Sequence, residues 1–221
     1  MIGPVLRLSL LLLVALAACS SPPREPWRQR TREGWIQGGI GGTRVESLTL
    51  DGGQPPFGVF PTLADSPALL GAFQWELAGQ DVQAGLEIGF GLGVRRLQRF
   101  LQDDGTGGVD AVRAGFTSGD LFAGTWIGKE FKGGSRLYAG LGAALLHGTL
   151  ERSSPASSSW EVDAEGWGTG LVARAGLEVA VRSGATLGLT VRWLEGEVDF
   201  GFQGPAQVEA WQLLLTASRG F

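Results

Sequence analysis

Residues 82–94 alternate without a break. Val82, Ala84, Leu86, Ile88, Phe90, Leu92 and Val94 hold one parity; Gln83, Gly85, Glu87, Gly89, Gly91 and Gly93 hold the other. Successive side chains of an extended strand point to opposite faces, so this run is apolar on one face and small or charged on the other. A helix cannot keep that segregation. The pattern returns at 69–78, where Leu69, Gly71, Phe73, Trp75 and Leu77 oppose Leu70, Ala72, Gln74, Glu76 and Ala78. It returns again at 167–182, at 187–193 and in the last run, where Trp211, Leu213, Leu215, Ala217 and Phe221 share a face.

Eight strands are expected, at about 34–48, 69–79, 82–98, 119–131, 135–150, 166–182, 185–199 and 208–221. The first and fourth have the weakest pattern, and residues 109–117 suit either an extension of the fourth or a loop. Alternation does not say which face meets water. A soluble lipocalin-like barrel turns its apolar face inward and a membrane barrel turns it outward. Four features favour the membrane. The polar face is full of glycine, which weakens a water-facing strand but makes room for a few large side chains inside a narrow barrel. Connections near 79–81, 131–135 and 182–185 are short, whereas 49–68, 99–118, 151–165 and 200–207 are longer, as in barrels with short turns on one side of the membrane. The strands reach the roughly 9–11 residues needed to cross when tilted. The chain ends on an aromatic, Phe221.

Composition agrees. The chain has 37 glycines without a Gly-X-Y period, 8 tryptophans, and a net charge of −4 with no basic cluster to suggest nucleic acid. Beyond residue 18 no apolar stretch approaches the roughly 20 residues of a membrane helix.

The N-terminus is of another kind. Arg7 is followed by residues 8–18, apolar apart from Ser9, which is too short to span a bilayer and the right length for an export signal. It ends Leu16-Ala17-Ala18-Cys19, which resembles the lipobox of bacterial lipoproteins. That resemblance implies cleavage before Cys19, diacylglycerol on its thiol, and passage through the lipoprotein export machinery. Ser20, rather than Asp, is consistent with transfer to the outer membrane. Cys19 is the only cysteine, so no intrachain disulfide can form. Residues 1–18 are therefore read as the signal, 19–33 as a lipidated flexible tether, and 34–221 as the barrel. The tether is Pro-rich, with Arg28, Arg30 and Arg32 on a solvated linker.

A terminal aromatic after an alternating strand resembles the signal read by the outer-membrane barrel assembly machinery, although Arg219 stands where an apolar residue is usual. The mature part resembles small eight-stranded outer-membrane barrels of the opacity and porin-like type. This implies an all-β, antiparallel up-and-down transmembrane barrel with both termini periplasmic, in contact with outer-membrane lipids and lipid-anchored at the periplasmic leaflet. A structural, interaction or narrow-porin role is expected, with no enzyme activity and no cofactor.

Glu76, Glu87, Arg95, Arg174, Glu178, Arg182 and Arg192 fall on polar faces. Charges inside a narrow barrel are costly unless paired, so a salt-bridge and hydrogen-bond network filling the lumen is expected rather than a solute path. His147, the only histidine, cannot build a multi-His metal site. Some eight-stranded outer-membrane barrels are lipid A deacylases with a His-x-Ser motif. Here the run is His147-Gly148-Thr149-Leu150, with Glu151 and Glu161 nearby, so Thr replaces the serine and Leu the following Asn. A place for His147 at headgroup level near a strand end is expected instead. Trp35, Trp75, Trp126, Trp160, Trp167, Trp193 and Trp211 are expected to form interfacial girdles. The glycine run 38–42 lacks the helix and lysine of a phosphate loop.

Overall fold

The computed structural model describes residues 34–50, 59–60, 66–79, 82–93, 98–103, 109–131, 134–153, 161–181, 185–201 and 204–221. Residues 1–33, and with them Cys19, Trp27 and the tether, lie outside the described residues, as do Arg95, Trp160 and Arg182. The strands in chain order are β1 (Gly34–Leu50), β2 (Val59–Phe60), β3 (Ser66–Gly79), β4 (Gln83–Gly93), β5 (Gln98–Asp103), β6 (Val109–Glu130), β7 (Arg136–Ser153), β8 (Glu161–Ala180), β9 (Ala185–Asp199) and β10 (Pro205–Gly220).

Eight of them form a closed wall. β1, β3, β4, β6, β7, β8, β9 and β10 pair antiparallel in that order, and β10 returns to β1 from Trp35↔Gly220 to Leu50↔Ala206. Closure satisfies the backbone of every wall strand along the shared height, which a lone sheet cannot do in lipid. The two short strands were not foreseen. β2 pairs with Leu48 and Thr49 of β1. β5 pairs with the first part of β6, from Gln98↔Ala114 to Asp103↔Val109. β6 meets β4 only up to Gly93↔Ser118, and the β5 pairing resumes one residue out of register. Residues 109–117 are thus strand, and β6 runs far past its expected start.

The apolar parity of the wall points outward. On β4, Leu86 is 48% exposed and Ile88 47%, while Glu87 between them is 1% exposed. Leu69, Phe73 and Leu77 on β3, Leu171 and Leu177 on β8, Leu187 and Leu189 on β9, and Leu213 and Leu215 on β10 are exposed in the same way. An outer wall of leucine, isoleucine and phenylalanine around a polar interior inverts a water-soluble fold. This is the wall of a membrane-spanning barrel, and it does not fit the lipocalin-like alternative.

One expected long connection is short. Residues 200–207 are expected among the longer connections, yet Asp199 pairs with Pro205. Gly204 N–H donates to the Gly201 carbonyl at 2.9 Å, and Phe200 N–H to the Gly204 carbonyl at 3.1 Å. Gly201 (φ 64°) and Gly204 (φ 82°) both take left-handed backbone, which lets the chain reverse within this stretch.

Candidate functional site: the filled lumen

The interior has two halves. Toward the end carrying Gly34 and Phe221 it is polar. Toward the other end it is apolar, with buried Leu70, Phe116, Leu146, Leu150, Val198 and Phe200. Phe200 leans in from the β9–β10 turn. A Cβ on Gly148 would lie 2.8 Å from its ring and 3.0 Å from that of Phe116, so side chains fill this half to the glycine surface.

The polar half holds two hydrogen-bonded clusters. Arg174 on β8 donates from Nε to the Glu87 carboxylate of β4 at 3.0 and 3.2 Å, and its Nη2 also pairs with Glu87. Arg174 Nη1 donates to Gln37 Oε1 on β1 at 2.8 Å. Gln37 Nε2 in turn donates to Tyr138 Oη and to Glu178 Oε1, each at 2.6 Å. Glu178 further accepts from Thr186 Oγ1 at 3.0 Å and from Ser218, and lies 3.8 Å from Arg136 Nε. Arg136 also donates to Gln74, whose Nε2 reaches Glu87 Oε2 at 3.1 Å. Nearer the apolar half, Arg192 pairs with Asp120 and donates to Gln212 Oε1 at 3.0 Å. Every one of the eight wall strands contributes a side chain.

Charge balances within each cluster. The buried arginines are Arg136, Arg174 and Arg192; the buried carboxylates are Glu87, Glu178 and Asp120. Each arginine faces one of the acids, so no net charge is stranded in a medium that screens poorly. Space balances too. A Cβ on Gly140 would lie 2.5 Å from Glu87, one on Gly91 2.5 Å from Asp120 and 2.8 Å from Arg192, and one on Gly176 2.5 Å from the Tyr138 ring. The glycine on the polar face is what admits these large side chains into a narrow barrel.

Of the expected network residues, Glu87, Arg174, Glu178 and Arg192 come together here. Glu76 is half-buried at the terminus end, beside the register shift between Glu76 and Ala78, and accepts from Gln83 Nε2 at 3.1 Å. Sequence reasoning missed Arg136, Tyr138, Asp120, Gln37, Gln74 and Gln212. Parity would have found them. Arg136 and Tyr138 share the parity of Gly140 and Gly142, and Asp120 that of Gly124.

Two tryptophans correct the girdle expectation. Trp35 and Trp126 face inward and are buried. The Arg136 guanidinium carbon lies 4.4 Å from the Trp35 ring centroid, 5.3 Å from that of Trp126 and 4.6 Å from that of Tyr138. A guanidinium is stabilised over aromatic faces, and this cage outweighs the interfacial preference of the indoles. Trp126 Nε1 also donates to the Trp75 carbonyl at 3.2 Å. Trp75 and Trp167 do face outward, while Trp193 and Trp211 sit half-buried with ring centroids 6.4 Å apart. His147 stands on the outer wall against Trp167, ring centroids 4.6 Å apart, with Nε2 3.8 Å from Glu165. Among the described residues its imidazole makes no hydrogen bond to a hydroxyl, and no three His, Cys, Asp or Glu side chains converge as a metal site would need.

The chain trace is similar to those of solved outer-membrane barrels. Ail, the attachment invasion locus protein of Yersinia pestis, is 18% identical; the match covers 84% of this chain and 99% of that one, with a TM-score of 0.44. Neisserial surface protein A is 12% identical, covering 86% and 97%, with a TM-score of 0.49. OprG of Pseudomonas aeruginosa is 15% identical, covering 86% and 97%, with a TM-score of 0.44. No protein-family model and no curated protein sequence matches the chain. What makes this chain a barrel is its own register and its outward apolar wall.

Proposed function

We propose that the protein is an outer-membrane barrel lipoprotein with a closed lumen, acting as a structural or interaction module rather than as a pore. The observation that carries this is the filled interior: two charge-balanced clusters that together draw on all eight wall strands, topped by packed apolar side chains. In this reading the termini and the short connections after β3, β6 and β8 face the periplasm, and the longer connections face outward. Insertion would use the barrel assembly machinery, with Phe221 in its recognition signal. Planar-bilayer recording of the refolded full chain tests the closed lumen. Silence at all applied voltages is expected, whereas steady single-channel steps from the unmodified protein would return the narrow-porin reading.

Cys19 then carries lipid that a barrel does not need as an anchor. A Cys19→Ser variant is expected to lose labelling by radioactive palmitate yet stay with membranes through carbonate extraction. A variant that washes off would show that the acyl chains, not the barrel, hold the protein. The lipid A deacylase alternative draws only on the His147–Glu165 pair. That pair lacks a hydroxyl nucleophile in hydrogen-bond contact, as a Ser-His-acid arrangement needs.

A further inference from the structure

The outer wall changes character part-way along β9 and β10. Leu187, Leu189 and Val191 line the outside of β9, and Leu215 and Leu213 that of β10, all exposed. This apolar run ends on Trp193 and Trp211, which pair across the two strands with ring centroids 6.4 Å apart. The next outward residues, away from Gly34 and Phe221, are Glu195 and Glu209, which also pair. Indoles at the edge of an apolar wall mark the boundary between lipid and water. On the other side of Trp211, β1 sets exposed Arg44 directly opposite the indole.

Three charges thus stand at headgroup level without cancelling. Glu195 is exposed and Glu209 half-buried, and they oppose each other across an antiparallel ladder, which is destabilising when nothing cationic lies between. Trp193 Nε1 donates to Glu209 Oε1 at 3.2 Å and engages one oxygen only. Among the described residues no ion pair joins Arg44 to either carboxylate. The wall therefore presents a guanidinium that suits an anion and a carboxylate pair that suits a cation, one to two strand spacings apart, about 5–10 Å. A phosphate alone satisfies Arg44 and is repelled by the acids. A lone amine satisfies the acids and is repelled by Arg44. A lipid head that carries a phosphate with a primary amine two carbons away meets both, and its acyl chains then lie against Leu213 and Val191.

We infer that this patch binds the head of an ethanolamine phospholipid. Arg44 takes the phosphate, Glu195 and Glu209 take the ammonium, and the Trp193–Trp211 pair covers the carbons between. The inference rests on the membrane wall and is independent of the closed lumen.

The full chain, folded in detergent micelles, can be mixed with equal amounts of phosphatidylethanolamine, phosphatidylglycerol and lipid A, and native mass spectrometry reads which lipid stays on the barrel. Phosphatidylethanolamine is expected to be retained about tenfold over phosphatidylglycerol, the worth of one charge-assisted hydrogen bond. Glu195→Gln with Glu209→Gln is expected to bring the two phospholipids to parity, because the phosphate contact survives and the amine contact does not. Arg44→Gln is expected to lower the retention of both. Heat-modifiable gel mobility confirms that each variant is folded. Phosphatidylglycerol or lipid A held as well as phosphatidylethanolamine by the unmodified protein would overturn the inference, and so would retention that ignores the substitutions. A barrel that stays electrically silent yet shows no lipid preference loses the headgroup site alone and keeps its closed lumen.

Discussion

Replacing Arg174 with alanine is expected to destabilise the barrel by about 3–5 kcal/mol, the usual cost of removing one partner from a buried ion pair. Arg174 is buried and ties together Glu87 of β4 and Gln37 of β1. Its loss leaves Glu87 with Gln74 as its hydrogen-bond donor in place of a charged partner. Urea titration in lipid vesicles, read by tryptophan fluorescence, measures the change. The distinguishing control is Arg174→Met combined with Glu87→Leu. It removes both charges at similar volume and should recover most of the loss, since well-packed apolar pairs replace buried ion pairs at little cost. If Arg174→Ala shifts the midpoint no more than a surface substitution does, the lumen is wet and the closed-barrel reading fails with it.

Ile88→Arg is expected to cost about 2–4 kcal/mol, the penalty for arginine on the lipid face of a barrel near the bilayer midplane. Ile88 is the middle outward residue of β4, with Leu86 and Phe90 on either side, and is 47% exposed on the isolated chain. The same titration reads it. On a water-facing wall the substitution would stay within about 0.5 kcal/mol, as exposed changes usually do. The two outcomes separate a membrane wall from a wet one without reference to any other protein.

Most of the wall was legible in the residues. The parity of 82–94 and of 69–78 assigned each side chain to its face, and the structure places Leu86, Ile88 and Phe90 outward and Glu87 inward. β1 and β6 were the hardest to read, for one reason. Gly38, Gly39, Gly41 and Gly42 in β1, and Gly119, Gly124 and Gly128 in β6, carry no side chain to mark a parity. The turn at 200–204 was misjudged because loop length was taken from where apolar alternation fades, while backbone pairing through Pro205 continues past that point.

The lumen was legible as composition and not as geometry. Sequence parity alone determined that charged and glycine residues share one face, because a strand has only two; the burial of Glu87 makes it the inner one. Which arginine meets which acid depends on register between strands far apart in the chain: Arg174 reaches Glu87 and Arg192 reaches Asp120. No local rule encodes those pairings. The inward turn of Trp35 and Trp126 is of the same kind, since a ring's preference for the interface yields only when closure brings the Arg136 guanidinium against it. The uneven height of β8 and β9 was likewise invisible, because it depends on β9 ending its pairing at Trp167↔Asp199 while β7 stays with β8 to Glu161.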